Sequence, residues 1–226
     1  MNRQPACLSW SGGKDSMLAL WKARQNGFDV RVLLSMLEEN GERNRSHAIP
    51  RALLEQQAQA IGAELMTRAA SWADYERQFS EALCELRERG ITDAIFGDID
   101  LQAHRDWEEK VCAASGFTAH LPLWNIERRA AVAQFLELGF RATVICVDHR
   151  WLDASFCGRE FDASFLRDLP ASVDWCGENG EFHTFVFDGP LFARAVRFEI
   201  AEIYDYQLPE PFGAARFSYA RLKESG

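Results

Sequence analysis

The chain has 226 residues, 47% of them hydrophobic and 26% charged, with a formal net charge of −9. That length suits one large domain or two small ones and can bury a sizeable core. The acidic balance argues against broad, sequence-blind binding to nucleic acid or to an anionic membrane, and no apolar run approaches the roughly 18 residues that span a bilayer.

Residues 6–10 form a short apolar run that reads as a strand. It breaks into Ser11-Gly12-Gly13-Lys14-Asp15-Ser16, and a helical pattern follows at once over residues 14–25, with Met17, Leu18, Leu20 and Trp21 on its buried side. Residues 30–37, rich in Val and Leu, suit a strand covered on both faces. After a polar loop, a helix begins near Pro50 with Leu54, Ala58 and Ile61 on one stripe, and Gly62 ends it. Residues 64–67 are a short strand candidate. Residues 72–89 give the clearest helix, since Tyr75, Phe79, Leu83 and Leu86 recur at helical spacing before Gly90.

A strand over 93–96 leads into Gly97-Asp98. A helix carrying Trp107, Val111 and Ala114 follows, closed by Gly116, and residues 117–124 return as a strand. Repeated β-α units with glycine-punctuated connections predict an α/β fold with a doubly wound parallel sheet. Beyond Trp124 the rhythm changes. A helix near 126–138 and a strand at 142–147 precede an irregular region, and from Glu181 the pattern is antiparallel: Val196, Phe198 and Ile200 alternate with Arg197 and Glu199, and 215–222 is a further edge-strand candidate. The expected division is a nucleotide-binding domain over 1–124 and a smaller α+β domain over 125–226.

Six cysteines occur with no Cys-x-x-Cys pair, and the opening residues carry no signal-peptide pattern. Reduced thiols in a cytoplasmic protein are expected rather than disulfides. A structural zinc site, which needs paired ligands at short spacing, is not.

The loop at 11–16 is neither a Walker A sequence nor Gly-x-Gly-x-x-Gly. Two adjacent glycines after a strand let backbone N–H groups approach an anion at a helix N-terminus. Lys14 adds a mobile positive charge, and Ser9, Ser11 and Ser16 add hydroxyl donors. Asp15 would repel phosphate, so it makes sense either as a ligand to Mg²⁺ or as a helix cap. A glycine-rich turn on an ordinary helix is the plain alternative.

Ser-Gly-Gly-Lys-Asp-Ser resembles the pyrophosphate loop of the PP-loop ATP pyrophosphatases, whose fold is of the adenine nucleotide alpha hydrolase, Rossmann-like kind. Four further stretches resemble one branch, the diphthine–ammonia ligase family. These are residues 46–62, opening Ser46-His47-Ala48-Ile49-Pro50; Phe96-Gly97-Asp98-Ile99 with Arg105 and Glu108; Leu121-Pro122-Leu123-Trp124; and residues 176–192, opening Cys176-Gly177-Glu178-Asn179-Gly180-Glu181-Phe182-His183-Thr184. The last is close to the family's Gly-Glu-Gly-Gly-Glu-Tyr-Glu-Thr, with Asn179 for Gly, Phe182 for Tyr and His183 for Glu.

The resemblance implies a ligase that adenylates a substrate carboxylate, releases pyrophosphate and transfers ammonia, using ATP and Mg²⁺. In a doubly wound sheet, ligands sit outside the carboxyl ends of the strands. Ser9, residues 11–16, Ser35, Met36, Gly97 and Asp98 fall at such ends and are expected to hold ATP. His47, Arg105, Glu108, Trp124, Asn179 and Gly180 are expected at the substrate. Lys14, Asp15, Glu178, Glu181 and His183 are the expected catalytic groups, with the two glutamates holding a cation (ammonium or Mg²⁺) or taking a proton from the amine; a solvated Asn-Gly hairpin turn is the plain alternative there. The acceptor is protein-bound diphthine or a small molecule such as a corrinoid carboxylate. Two rivals remain, a tRNA-modifying PP-loop enzyme and an ATP-binding sensor without turnover. No membrane or nucleic-acid partner is expected, and a homodimer is left open.

Overall fold

The structure is a computed structural model, and it describes residues 3–207 and 215–225. Five strands, β1 (Gln4–Ser9), β2 (Phe28–Leu37), β3 (Glu64–Ala69), β4 (Asp93–Ile95) and β5 (Thr118–His120), form one sheet in the order β3-β2-β1-β4-β5. Every pair in it is parallel. The connections are α1 (Lys14–Gln25), α2 (Arg51–Ile61), α3 (Tyr75–Glu88) and α4 (Gln102–Ser115). Both faces of the sheet are apolar. Ala6 and Leu8 of β1 face a core with Met17, Leu20, Leu53 and Leu54. Cys7 between them faces a second core with Phe79, Leu83, Leu86 and Val111. One strand thus feeds two cores by its two-residue side-chain period.

The chain continues through α5 (Arg128–Glu137), β6 (Arg141–Asp148) and α6 (Ala163–Asp168) to β7 (Phe182–Asp188), β8 (Phe198–Gln207) and β9 (Arg216–Glu224). These last strands make a smaller sheet ordered β7-β6-β9-β8, antiparallel throughout. The doubly wound parallel sheet with a smaller antiparallel partner is therefore present. All six cysteines are free, and five of them are buried.

Three local expectations are corrected. The strand predicted over 117–124 stops at His120, because Leu121–Trp124 turns, with the Trp124 amide donating to the Leu121 carbonyl at 3.0 Å; Pro122 has no N–H to continue a ladder. On α4 the buried face runs through Glu108, Val111, Cys112 and Ser115, and Ala114 is exposed. Residues 216–224 are not an edge: β9 lies between β6 and β8.

Candidate active site

The strand order reverses beside β1, where the neighbours β2 and β4 lead their chains to opposite faces, which is where doubly wound sheets open a ligand crevice. The loop between β1 and α1 lies there. Gly12 adopts φ +77°, and a Cβ on it would come 2.8 Å from Gln57 Oε1. The Gln57 side chain is wholly buried. Its Nε2 donates to the Gly12 carbonyl at 3.0 Å and to the Val186 carbonyl at 2.6 Å, while its Oε1 accepts from Trp10 Nε1 at 3.0 Å.

The rest of the loop is equally tied. Ser11 Oγ accepts from the Gly13 amide and donates to Ser16 Oγ, and Ser16 Oγ donates to the Gly13 carbonyl. The Lys14 amide donates to Thr184 Oγ1 at 3.1 Å, and the Val186 amide donates to the Gly12 carbonyl at 3.0 Å. From the other side, Asn44 Nδ2 donates to the Ser11 carbonyl at 2.8 Å. Strand β7 of the smaller sheet is thereby seated on the loop. Across the crevice, a Cβ on Gly97 would lie 3.0 Å from the Asp15 carbonyl carbon and the Ser16 nitrogen, so only glycine lets the end of β4 approach α1 this closely.

A cavity of about 440 Å³ opens above the loop. Of the residues expected at the site, Ser9, Ser11, Asp15, Ser16, Met36, His47, Gly97, Asp98, Glu108 and Glu178 line it. They are joined by Leu34, Arg45, Trp72, Tyr75, Phe96, His104 and Trp107. On α4, His104, Trp107 and Glu108 share one helical face. Arg105 falls outside it, paired with Glu109 at 2.6 Å and placed over the Trp124 ring at 4.8 Å.

Several expected residues do not reach the cavity wall. Ser35 alternates with Leu34 and Met36 along β2, so its buried side chain turns to the opposite face of the sheet. Glu181 is buried, and its carboxylate accepts from the amides of Asp174 and Asn179 and from Asn179 Nδ2. That organises the loop carrying Glu178 and holds Asn179 and Gly180 in its turn. His183 sits behind the wall, its ring 4.5 Å from that of His47. Gly12, Gly13 and Lys14 form the floor's framework. Gln57, Asn44 and Thr184, which hold this framework, were missed in the sequence reading. For Gln57 and Thr184 the one signal is a polar residue inside an apolar stripe or an apolar strand, whereas Asn44, in a polar loop, carries none.

Charge is concentrated here. Lys14 is buried, with Nζ 2.7 Å from Asp15 Oδ2. Burial opposes its charge, but the carboxylates of Asp15 and Glu178 and the Cys176 thiol outweigh that and leave its pKa raised. Burial and the Asp15 charge push Glu178 up to about 7. Burial and a hydrogen bond with Asp98 push Glu108 up to about 10. Asp98, itself desolvated, is nonetheless held below the usual carboxylate range by its bonds to His104 and Glu108. His183 is driven down to about 4 by burial and by Lys14, and His47 is lowered by burial, His183 and Lys14. Both rings are therefore neutral near pH 7. Among the described residues, no group of three or more His, Cys, Asp or Glu side chains is placed to hold a metal ion, and no helix is long and apolar enough to cross a membrane.

Comparison with known proteins places this site in context. The diphthamide synthase N-terminal domain matches residues 4–119, and the diphthamide synthase C-terminal domain matches residues 127–209. A diphthine–ammonia ligase of Danio rerio is 24% identical over 238 residues, covering 92% of each chain. A solved structure described as a predicted subunit of tRNA methyltransferase from Methanocaldococcus jannaschii is 16% identical, with a TM-score of 0.43 over 63% of this chain and 80% of that one.

Proposed function

The chain belongs to the diphthamide synthase family, and on that premise we propose that it is an ATP-dependent, AMP-forming ligase that converts a carboxylate into an amide with ammonia. The observation that carries this reading is the seating of Ser11-Gly-Gly-Lys-Asp-Ser16 at the mouth of α1, beneath a cavity whose wall also carries Glu178.

In this reading the adenine lies against Leu34, Met36 and Phe96, and the phosphates lie over the hydroxyls of Ser9, Ser11 and Ser16. The acceptor carboxylate oxygen attacks the α phosphorus. The bond from that phosphorus to the bridging oxygen breaks, and its electron pair leaves on pyrophosphate. Lys14, held charged and already in place, exchanges its Asp15 partner for the departing phosphate, which is electrostatic stabilisation by a preorganised group. Mg²⁺, when bound, neutralises phosphate charge, with Asp15 as its carboxylate ligand. Such ions are completed by phosphate oxygens and water rather than by a protein cage.

In the second step the ammonia nitrogen attacks the acyl carbon, the carbon–oxygen bond to AMP breaks with its electron pair leaving on AMP, and the nitrogen gives up a proton. The Glu178 carboxylate, titrating near neutrality, is the acceptor for that proton. Glu181 and His183 act through others: Glu181 fixes the Glu178 loop, and His183 backs the His47 ring.

The acceptor in this reading is diphthine, carried on a protein; the name of the Danio rerio relative gives diphthine for that protein. Incubation with ATP, Mg²⁺, ammonium and diphthine-bearing elongation factor 2 tests the proposal. AMP, pyrophosphate and the amide in equal amounts are expected. ADP and orthophosphate would contradict it, and tight ATP binding without any AMP would favour a sensor.

A further inference from the structure

We propose that Arg128, which lies outside the cavity wall, is a positioning residue: it sets the loop carrying Glu178 against the opposite wall for the amide-forming step. The inference rests on the ligase reading and deepens it, since it assigns a residue to the second of the two steps.

Arg128 opens α5. Its Nε and Nη2 donate to the two carboxylate oxygens of Asp100 at 2.7 Å each, and its Nη1 donates to Asp174 Oδ2 at 2.7 Å. Asp100 lies two residues beyond Asp98 of the cavity wall, on the segment between β4 and α4. Asp174 begins the loop that carries Glu178. Its Oδ2 also accepts from the Glu178 amide at 3.1 Å, and its Oδ1 accepts from the Cys176 amide at 3.2 Å. The Arg128 carbonyl adds a further tie by accepting from Cys176 Sγ at 3.1 Å. One residue thus joins two walls of the cavity. It also joins the two matched domains, since Asp100 falls within residues 4–119 and Arg128, Asp174 and Glu178 within 127–209.

A guanidinium suits this task and an ammonium does not. Its planar fork takes one carboxylate in bidentate fashion and keeps a further N–H for a second. The Arg128 side chain is 25% exposed and that of Asp174 13%, so water screens the pair only in part. Glu181 does a different job. Its bonds run to Asp174 and Asn179, within the loop, and give the loop its shape; Arg128 fixes where that shape stands relative to Asp98. The phosphate loop is held by other partners, with the Lys14 amide on Thr184 and the Gly12 carbonyl on Val186 and Gln57. Adenylation, which uses that loop, and amide formation, which uses Glu178, should therefore respond differently when Arg128 is removed.

Two rates measured on Arg128→Ala separate the steps. Exchange of labelled pyrophosphate into ATP, with acceptor and without ammonium, reports adenylation and should match the wild type. Amide formation with ammonium present should fall by roughly 10²-fold, the scale of an ångström's misplacement. Methylguanidinium should restore it, and Arg128→Lys should not. Equal loss of both rates, or loss of neither, overturns the proposal. Should Arg128→Ala fail to fold, Asp100→Asn weakens the tie from the opposite wall, leaves the Glu178 loop whole and should show the same split. Hydrogen exchange gives a readout free of activity. In Arg128→Ala the Cys176 and Glu178 amides should exchange about tenfold faster, the scale of one charge-assisted hydrogen bond, while the Lys14 and Val186 amides keep their rates. Unchanged exchange at Cys176 and Glu178 overturns the positioning role while the ligase reading stands. A wild-type protein that exchanges no pyrophosphate and makes no AMP removes the ligase reading, and the role in amide formation falls with it.

Discussion

The Lys14 amide donates to the hydroxyl of Thr184 at 3.1 Å, across 170 residues of chain. This single bond caps the first turn of α1 from the smaller sheet. The helix has no local side-chain cap of its own at Gly13, so strand β7 supplies what the loop sequence lacks.

Removing that cap should loosen the loop without removing any cavity-lining group. Thr184→Val keeps the side-chain volume and deletes the acceptor, and should cost about 1 kcal/mol of stability together with weaker ATP binding. Thr184→Ser should restore both. Chemical denaturation and nucleotide titration of the three proteins measure this.

Lys14→Ala should lower kcat by roughly 10²–10³, the scale of one preorganised transition-state donor, with KM for ATP changing far less. The same substitution also leaves Asp15 without its partner at 2.7 Å on a floor that already carries negative charge. Steady-state kinetics on purified protein separates the two parameters.

The amide-forming step should depend on pH through Glu178. A general base works when deprotonated, so at constant free-ammonia concentration the rate should rise with pH through about 7, where this carboxyl titrates. Glu178→Gln should lower the rate and flatten that limb. A rate profile indifferent to the substitution would remove Glu178 from the step.

Glu108 makes a stability prediction of opposite character. Its folded pKa is raised from 4.5 to about 10, so between those values the folded protein holds a proton that the unfolded chain has released. Stability from this group is full below 4.5 and falls as pH rises across the window. Glu108→Gln mimics the protonated acid and should gain stability over the wild type as pH increases. Urea midpoints of both proteins at about pH 5 and about pH 9 test the sign.

Much of this architecture was readable because the strongest signals are local. A glycine pair between an apolar run and a 3.6-residue pattern defines a strand, a loop and a helix start, and α1 spans Lys14–Gln25 as that pattern predicts. Gly62 and Gly116 likewise end their helices in left-handed conformations. What stayed hidden depends on partners distant in sequence. Adjacent residues Ser35 and Met36 look equivalent at a strand end, yet the pleat sends one to the cavity and the other away. Glu178 and Glu181 look like a matched pair, but the backbone turn between them exposes one carboxylate and consumes the other. Nothing in the sequence around Gln57 says that its amide reaches the Gly12 carbonyl and also the Val186 carbonyl, 129 residues further along the chain.

The central claim is that the loop directs attack to the phosphorus carrying the adenosine. Isotope transfer tests it most directly: an acceptor whose carboxylate is labelled with ¹⁸O is turned over with unlabelled ATP, and the products are examined by mass spectrometry. Adenylation predicts one labelled oxygen in AMP for each amide formed. Label in orthophosphate, with AMP unlabelled, would contradict it.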